Sequence, residues 1–149
     1  MRPALFIDRD GTINANEPEY PHKPEHLKIY EDAVELMKQY QQKGYLIIII
    51  TNQSGIGRGI FTEQQMHEFN SLLKAELKKR GVTIDAIYFC PHKPDDGCNC
   101  RKPKTGLVEQ AIKDFNIDLK NSIVVGDRED IDGEMARRLG IRYILLHRA

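Results

Sequence analysis

Two hydrophobic periods divide this chain, and their alternation lays out its elements. Residues 4–8 form a short apolar run that stops in polar residues, as a strand buried on both faces does. Residues 13–29 are polar, carry Pro18, Pro21 and Pro24 and keep no period, so they read as an ordered loop or small flap. Helical spacing follows over 32–43, with Val34, Met37 and Tyr40 on one stripe and Gly44 where a C-terminal cap belongs. The unbroken β-branched run 46–50 predicts a parallel strand covered on both faces. Thr62-Glu63-Gln64-Gln65 is a capping-box pattern opening a helix through Met66, Phe69, Leu73 and Leu77, which Gly81 ends. Strands are predicted over 86–89, 122–126 and 141–146. Helices are predicted through Leu107, Val108, Ala111 and Phe115, and over 132–139.

Strand and helix alternate throughout, which predicts an α/β fold: a parallel sheet with helices on both faces. Ligands of such sheets bind beyond the carboxyl ends of the strands, where strand order reverses. Strands one, two and four end in Asp8, Thr51 and Asp127. As neighbours, they bring three polar strand ends into one crevice.

Composition narrows the possible functions. At 149 residues the chain is expected to form one domain, 1–149. Lys plus Arg equals Asp plus Glu at 22 each, so no overall field recruits nucleic acid or an anionic membrane, and any anion site must be built locally. No apolar run approaches the length of a membrane span, and the first residues lack a signal-peptide pattern, so a cytoplasmic monomer is expected.

Asp8-Arg9-Asp10-Gly11-Thr12 closes the first strand. In extended backbone, residues two apart share a face, so Asp8 and Asp10 are expected to enter one site while Arg9 points away. Two adjacent carboxylates repel unless one is protonated or a cation lies between them, which points to chemistry more than to architecture. Thr51-Asn52-Gln53-Ser54-Gly55 offers a hydroxyl and free N–H groups to a phosphate-like anion, and 55–59 reads as a flexible rim carrying Arg58. Arg101-Lys102 sets a forked and a compact cation side by side before a helix. The acidic residues of 127–132 could hold a hard cation or cap a helix.

Cys90, His92, Cys98 and Cys100 fall within eleven residues and supply the four soft donors of a closed tetrahedral zinc site. Clamping that loop would also fix where Arg101 and Lys102 point.

The ordered set of these stretches resembles the haloacid dehalogenase-like phosphohydrolases. Within them it is similar to the branch acting on heptose 1,7-bisphosphates and histidinol phosphate. The resemblance spans essentially the whole chain. It implies a Rossmann-like three-layer core with strand order 5-4-1-2-3 and no large cap domain. It also implies Mg²⁺ held by Asp8, the backbone carbonyl of Asp10, and Asp127. By the family mechanism Asp8 is the nucleophile and Asp10 the acid and base. Thr51 and Lys102 hold phosphoryl oxygens, and Lys102 also orients Asp8. Asn52, Gln53, Ser54, Arg58 and Arg101 form the expected substrate-contacting set. The family's last motif often places a second aspartate four residues after the first. Here Ile131 stands at that position, flanked by Asp130 and Asp132, and Asp132, nearer the helix start, is favoured as a supporting residue. The substrate expected is a small phosphorylated metabolite. The 54–59 and 102–106 stretches favour a heptose bisphosphate, and the five-residue gap between His92 and Cys98 looks more like histidinol phosphate enzymes. A catalytically idle, zinc-stabilised binding module is the reading of another class, and it conflicts with the intact Asp8, Asp10, Thr51, Lys102 and Asp127 set.

Overall fold

The computed structural model describes residues 1–148. Strands β1 (Ala4–Ile7), β2 (Leu46–Asn52), β3 (Ala86–Cys90), β4 (Ile123–Gly126) and β5 (Arg142–Leu145) form one all-parallel sheet in the order β3-β2-β1-β4-β5. This is the expected order read from the other edge. Helices α1 (Glu31–Gln42), α2 (Ser54–Gly57), α3 (Glu63–Lys79), α4 (Gly106–Phe115) and α5 (Glu134–Leu139) connect the strands. The pleat sorts each apolar run between two layers. Leu5, Ile7, Ile47 and Ile49 pack with Val34 and Met37 of α1 and Leu73 and Leu77 of α3. Phe6, Ile48, Ile50 and Val124 face Val108 and Ala111 of α4 and Met135 of α5. Burying each of these large side chains stabilises the fold by about 1.5–3 kcal/mol. The doubly covered sheet therefore explains why 46–50 shows no polar alternation.

The helix signals hold where they were local. Thr62 and Gln65 form the capping box at the start of α3, and Gly44 and Gly81 take φ near +90° after their helices. Four departures bear on the site. β1 stops at Ile7, so Asp8 and Asp10 lie beyond the strand on either side of the turn residue Arg9, with Asp10 in an isolated bridge to Asn14. β2 runs on to pair Thr51 with Phe89 and Asn52 with Cys90, making both strand residues. The supposed flexible rim contains the one-turn α2, with Ser54 and Gly55 buried. The helix expected over 132–139 is preceded by a π-helical turn, Glu129–Gly133, in which the Arg128 carbonyl accepts from the N–H groups of Ile131, Asp132 and Gly133.

No inserted cap is present among the described residues. Residues 13–29 instead form an ordered flap whose only regular element is a 3₁₀ turn at Pro24–His26. Ala15 N–H donates to Lys28 O at 2.8 Å, Tyr30 N–H donates to Ile13 O at 2.8 Å, and the His22 ring stacks on Phe61 at 5.1 Å. The Arg148 guanidinium pins the root of the flap. It donates to Gly11 O, Thr12 O and both oxygens of Asp32, and it stacks on Tyr30.

Candidate active site

A cleft of about 360 Å³ opens over the carboxyl ends of β1, β2 and β4. This is where strand order reverses, and the parallel topology leaves polar residues at that edge. Asp8, Asp10, Lys102, Asp127 and Asp132 all line it. Asp8 N–H donates to Val125 O at 3.0 Å, which holds the first turn after β1 against β4. The Thr12 hydroxyl lies 2.9 Å from Asp8 Oδ2 and 3.0 Å from Asp127 Oδ1, so it spans the two carboxylates. Gly11, at φ +87°, leaves room for this approach, because a Cβ there would sit 2.5 Å from Asp127 Oδ2.

Lys102 is the electrostatic centre. Its ammonium is 3 % exposed and donates to Asp8 Oδ1 and Asp132 Oδ1, both at 2.8 Å. Burial alone would strip its proton, but Asp132 and Asp8 outweigh burial and hold the ammonium more strongly protonated than usual. Burial pushes Asp132 up to about 6 against the pull of Lys102, with Asp8 adding to the rise. Asp127 is also raised, first by burial and then by Asp8. Two carboxylates raised by burial and by the charge of Asp8 beside one lysine mark a site short of positive charge. Carboxylate oxygens of Asp8, Asp127 and Asp132 lie within 4.8 Å of one another, so the donor set fits a hard divalent cation. Between the two acidic positions left open by the motif spacing, the structure sends Asp132 inward and Asp130 outward. The π-helical turn drops Asp132 against Gly126, while Asp130 pairs with Arg128 on the surface.

The other expected residues divide. Gln53 and Ser54 line the cleft, as does Arg101, whose guanidinium also donates to His92 O at 3.4 Å. Asn52 borders the cleft, but its amide is committed to the Lys102 backbone, accepting from Lys102 N–H at 2.9 Å and donating to Lys102 O at 3.3 Å. Thr51 is buried beneath the floor, its hydroxyl accepting from Gln53 Nε2 at 2.8 Å. Arg58 is exposed and donates to Ser54 Oγ at 3.3 Å without reaching the cleft.

Arg9 does not point away. It is fully buried, and its guanidinium folds back to grip both oxygens of Asp10 at 2.7 and 2.9 Å. The expectation extended strand alternation past the end of β1. There the Arg9 carbonyl accepts from the N–H groups of Thr12, Ile13 and Asn14 in a tight turn, and the pleat no longer decides direction. The flap over 13–29, expected to form part of the rim, brings Asn16, Glu19 and Tyr20 to the cleft, whereas sequence reasoning missed Thr12, Asn14 and Arg128, which reach the site through turn geometry or from another part of the fold. Thr12 alone carried a signal, as a hydroxyl two residues beyond a paired-aspartate turn.

The cysteine loop gathers as expected. Cys90 Sγ lies 3.3 Å from His92 Nδ1, 3.6 Å from Cys98 Sγ and 2.7 Å from Cys100 Sγ, and His92 Nδ1 is 3.3 Å from Cys100 Sγ. Three thiols and one imidazole converging on a point fit a tetrahedral soft-metal site better than a thiol hydrogen-bond cluster.

The fold and this cluster define a phosphatase of the haloacid dehalogenase type. The chain belongs to the polynucleotide kinase 3 phosphatase family, whose model matches residues 4–138. A protein of Thermoplasma volcanium named "Probable D-glycero-D-manno-heptose-1,7-bisphosphate 7-phosphatase" is 58 % identical over 142 residues, which cover 95 % of this chain and 97 % of that one. The D-glycero-beta-D-manno-heptose-1,7-bisphosphate 7-phosphatase of Yersinia pestis is 37 % identical, over 96 % of this chain and 80 % of its own. Among solved structures, the D,D-heptose 1,7-bisphosphate phosphatase of B. bronchiseptica complexed with magnesium and phosphate superposes with a TM-score of 0.87. It is 30 % identical, over 97 % of this chain and 80 % of that one.

Proposed function

We propose that this chain removes the 7-phosphate of a D-glycero-D-manno-heptose 1,7-bisphosphate through a phosphorylated Asp8. The observation that carries the chemistry is Lys102 bridging Asp8 and Asp132 beside Asp127, an arrangement that offsets the repulsion between an anionic nucleophile and an anionic phosphate. The relatives' names carry the choice of substrate. Asp8 Oδ attacks phosphorus, and the departing alkoxide takes its proton from Asp10. Asp10, now a carboxylate, then removes a proton from the water that attacks the acyl phosphate at Asp8, which releases phosphate, frees the Asp8 carboxylate and returns Asp10 to its protonated form. Asp8, Asp127 and the Asp10 carbonyl would hold magnesium, which would supply charge neutralisation at the phosphoryl group. Lys102 and the Ser54 end of α2 face the transferring phosphate, and Arg101 suits a second phosphate.

Cys90, His92, Cys98 and Cys100 hold a structural zinc in this reading, with no position open for substrate. The enzyme works in the cytoplasm as a monomer on a small phosphorylated metabolite. Supporting that, Met1 and Ile60 are the only exposed large hydrophobics, and no helix is long and apolar enough to cross a membrane, both among the described residues. Histidinol phosphate is the second reading, favoured by the short gap between His92 and Cys98.

The test measures magnesium-dependent phosphate release from both anomers of heptose 1,7-bisphosphate, histidinol phosphate, an aryl phosphate and a 3′-phosphorylated oligonucleotide. Preference for a heptose bisphosphate supports the proposal. Preference for histidinol phosphate or the oligonucleotide replaces the substrate, and no turnover on any of them overturns the enzyme.

A further inference from the structure

We infer that Arg9 is a positioning residue of the reaction, fixing the Asp10 carboxylate and tying the flap to it; the inference rests on the phosphatase reading. Arg9 is completely buried. A buried guanidinium is tolerated only when most of its donors are satisfied, because desolvating it is expensive. Here Nε donates to Asp10 Oδ1 at 2.7 Å and Nη2 to Asp10 Oδ2 at 2.9 Å. Nη1 donates to Asn70 Oδ1 at 2.9 Å, and Nη2 also reaches Pro21 O at 3.1 Å and Gln53 Oε1 at 3.3 Å. The group stacks over the Phe69 ring at 4.5 Å. One side chain thus joins the turn after β1, the end of β2, the flap and α3.

A residue needed only for packing has no reason to spend its fork on a carboxylate that lines the cleft. Asp10 receives two further donors, Asn14 Nδ2 at 3.0 Å and Gln53 Nε2 at 3.1 Å, so four donors fix the plane of one carboxylate. Proton transfer is sensitive to that placement, since a displacement of about 1 Å can cost about 10²-fold in rate. The Pro21 carbonyl shares Nη2 with Asp10 Oδ2, and the neighbouring Tyr20 lines the cleft. Substrate pressing on the flap is therefore felt at the acid–base group.

The test uses Arg9→Lys, which keeps the charge but loses the fork, and Asn70→Ala, which removes one anchor of the guanidinium. Two substrates are compared: an alkyl phosphate, whose leaving group needs a proton, and 4-nitrophenyl phosphate, whose leaving group does not. For Arg9→Lys, kcat on the alkyl phosphate is expected to fall about 10²-fold with KM nearly unchanged. With 4-nitrophenyl phosphate the variant is expected to keep a rapid stoichiometric burst of 4-nitrophenolate and then turn over slowly, because the first step needs no acid and the second still needs the base. Adding Arg9→Lys to Asp10→Asn is expected to change kcat little further, the non-additivity of residues acting as one unit. Asn70→Ala is expected to give a smaller fall in the same sense. A folded Arg9→Lys with kcat near that of the unmodified enzyme, or a multiplicative double variant, overturns the inference. Should Arg9→Lys not fold, an unchanged kcat in Asn70→Ala overturns it. An unmodified enzyme that hydrolyses no phosphomonoester defeats the phosphatase reading itself, an outcome distinct from an active enzyme indifferent to Arg9.

Discussion

The molecule carries two polar centres built in opposite ways. The cysteine loop draws all its donors from eleven consecutive residues, so little loop entropy is lost in closing it. The carboxylate centre draws Asp8, Lys102, Asp127 and Asp132 from three separate stretches, with Asp8 and Lys102 separated by 94 positions in the sequence. Only the sheet order brings these together. The first centre is a local property of the chain, and the second is a property of the fold. They meet at Cys100-Arg101-Lys102, where the end of the loop becomes the cation of the cleft.

Breaking the fold-built centre should have the largest effect. Asp10→Asn is expected to lower kcat by about 10²–10⁴-fold, the contribution typical of a positioned acid or base, while zinc content and secondary structure stay unchanged. Steady-state kinetics beside metal analysis and circular dichroism check this, and a kcat close to that of the unmodified enzyme refutes the role. Next, Lys102→Met leaves Asp8 and Asp132 buried without a counter-charge. The variant should lose about 3–5 kcal/mol of stability when assayed without magnesium. Urea denaturation measures it, and retained zinc in the folded variant would show that the two centres are separable.

Breaking the local centre should matter less. Cys98→Ser, or a chelator that strips the zinc proposed for this loop, is expected to reduce kcat about 10-fold through looser placement of Arg101 and Lys102, with the sheet intact. Loss of the whole fold instead would mean that the loop does more than orient its neighbours.

The smallest effect concerns the flap root. The Arg148 guanidinium holds Asp32 below the ordinary carboxylate range, against a weaker opposing effect of burial. A depressed folded value means that this pair stabilises the protein above pH 3.8 and stops doing so as pH falls through the folded value. The Asp32 side chain is 51 % exposed, so solvent screening limits the contribution to about 0–1 kcal/mol. Asp32→Asn should therefore lower the urea midpoint slightly at pH 7 and by less at pH 3. An equal difference at both would assign the effect to packing.

The same division explains what could be read from the chain. The alternation of strands and helices, the capping box of α3 and the four-donor loop follow from periods and spacings that need only near neighbours, whereas the strand order came from the family resemblance. Asp8, Asp127 and Lys102 were legible because each stands at a strand end or beside a proline turn where a polar residue has few other uses. Arg9 was misread because its direction depends on a turn whose bonds to Thr12, Ile13 and Asn14 leave no periodic trace. Arg58 and Asn52 were expected at the substrate for their chemistry. Packing commits Arg58 to Ser54 outside the cleft, while Asn52 borders the cleft with its amide bonded to the Lys102 backbone.

By itself, the sequence determined the α/β class, the parallel sense of the sheet, the four-donor spacing of the cysteine loop and the residues offered at the strand ends. All of these depend on contacts close along the chain or on the alternation of apolar side chains. Only the tertiary structure decided that Asp132, and not Asp130, meets Lys102, that Thr12 spans Asp8 and Asp127, and that Arg9 grips Asp10 beneath the flap. Those choices turn on the wider i→i+5 closure of a π-helical turn, a glycine without a Cβ and a buried charge seeking every available acceptor. Each is settled by distances between segments that lie far apart in the chain.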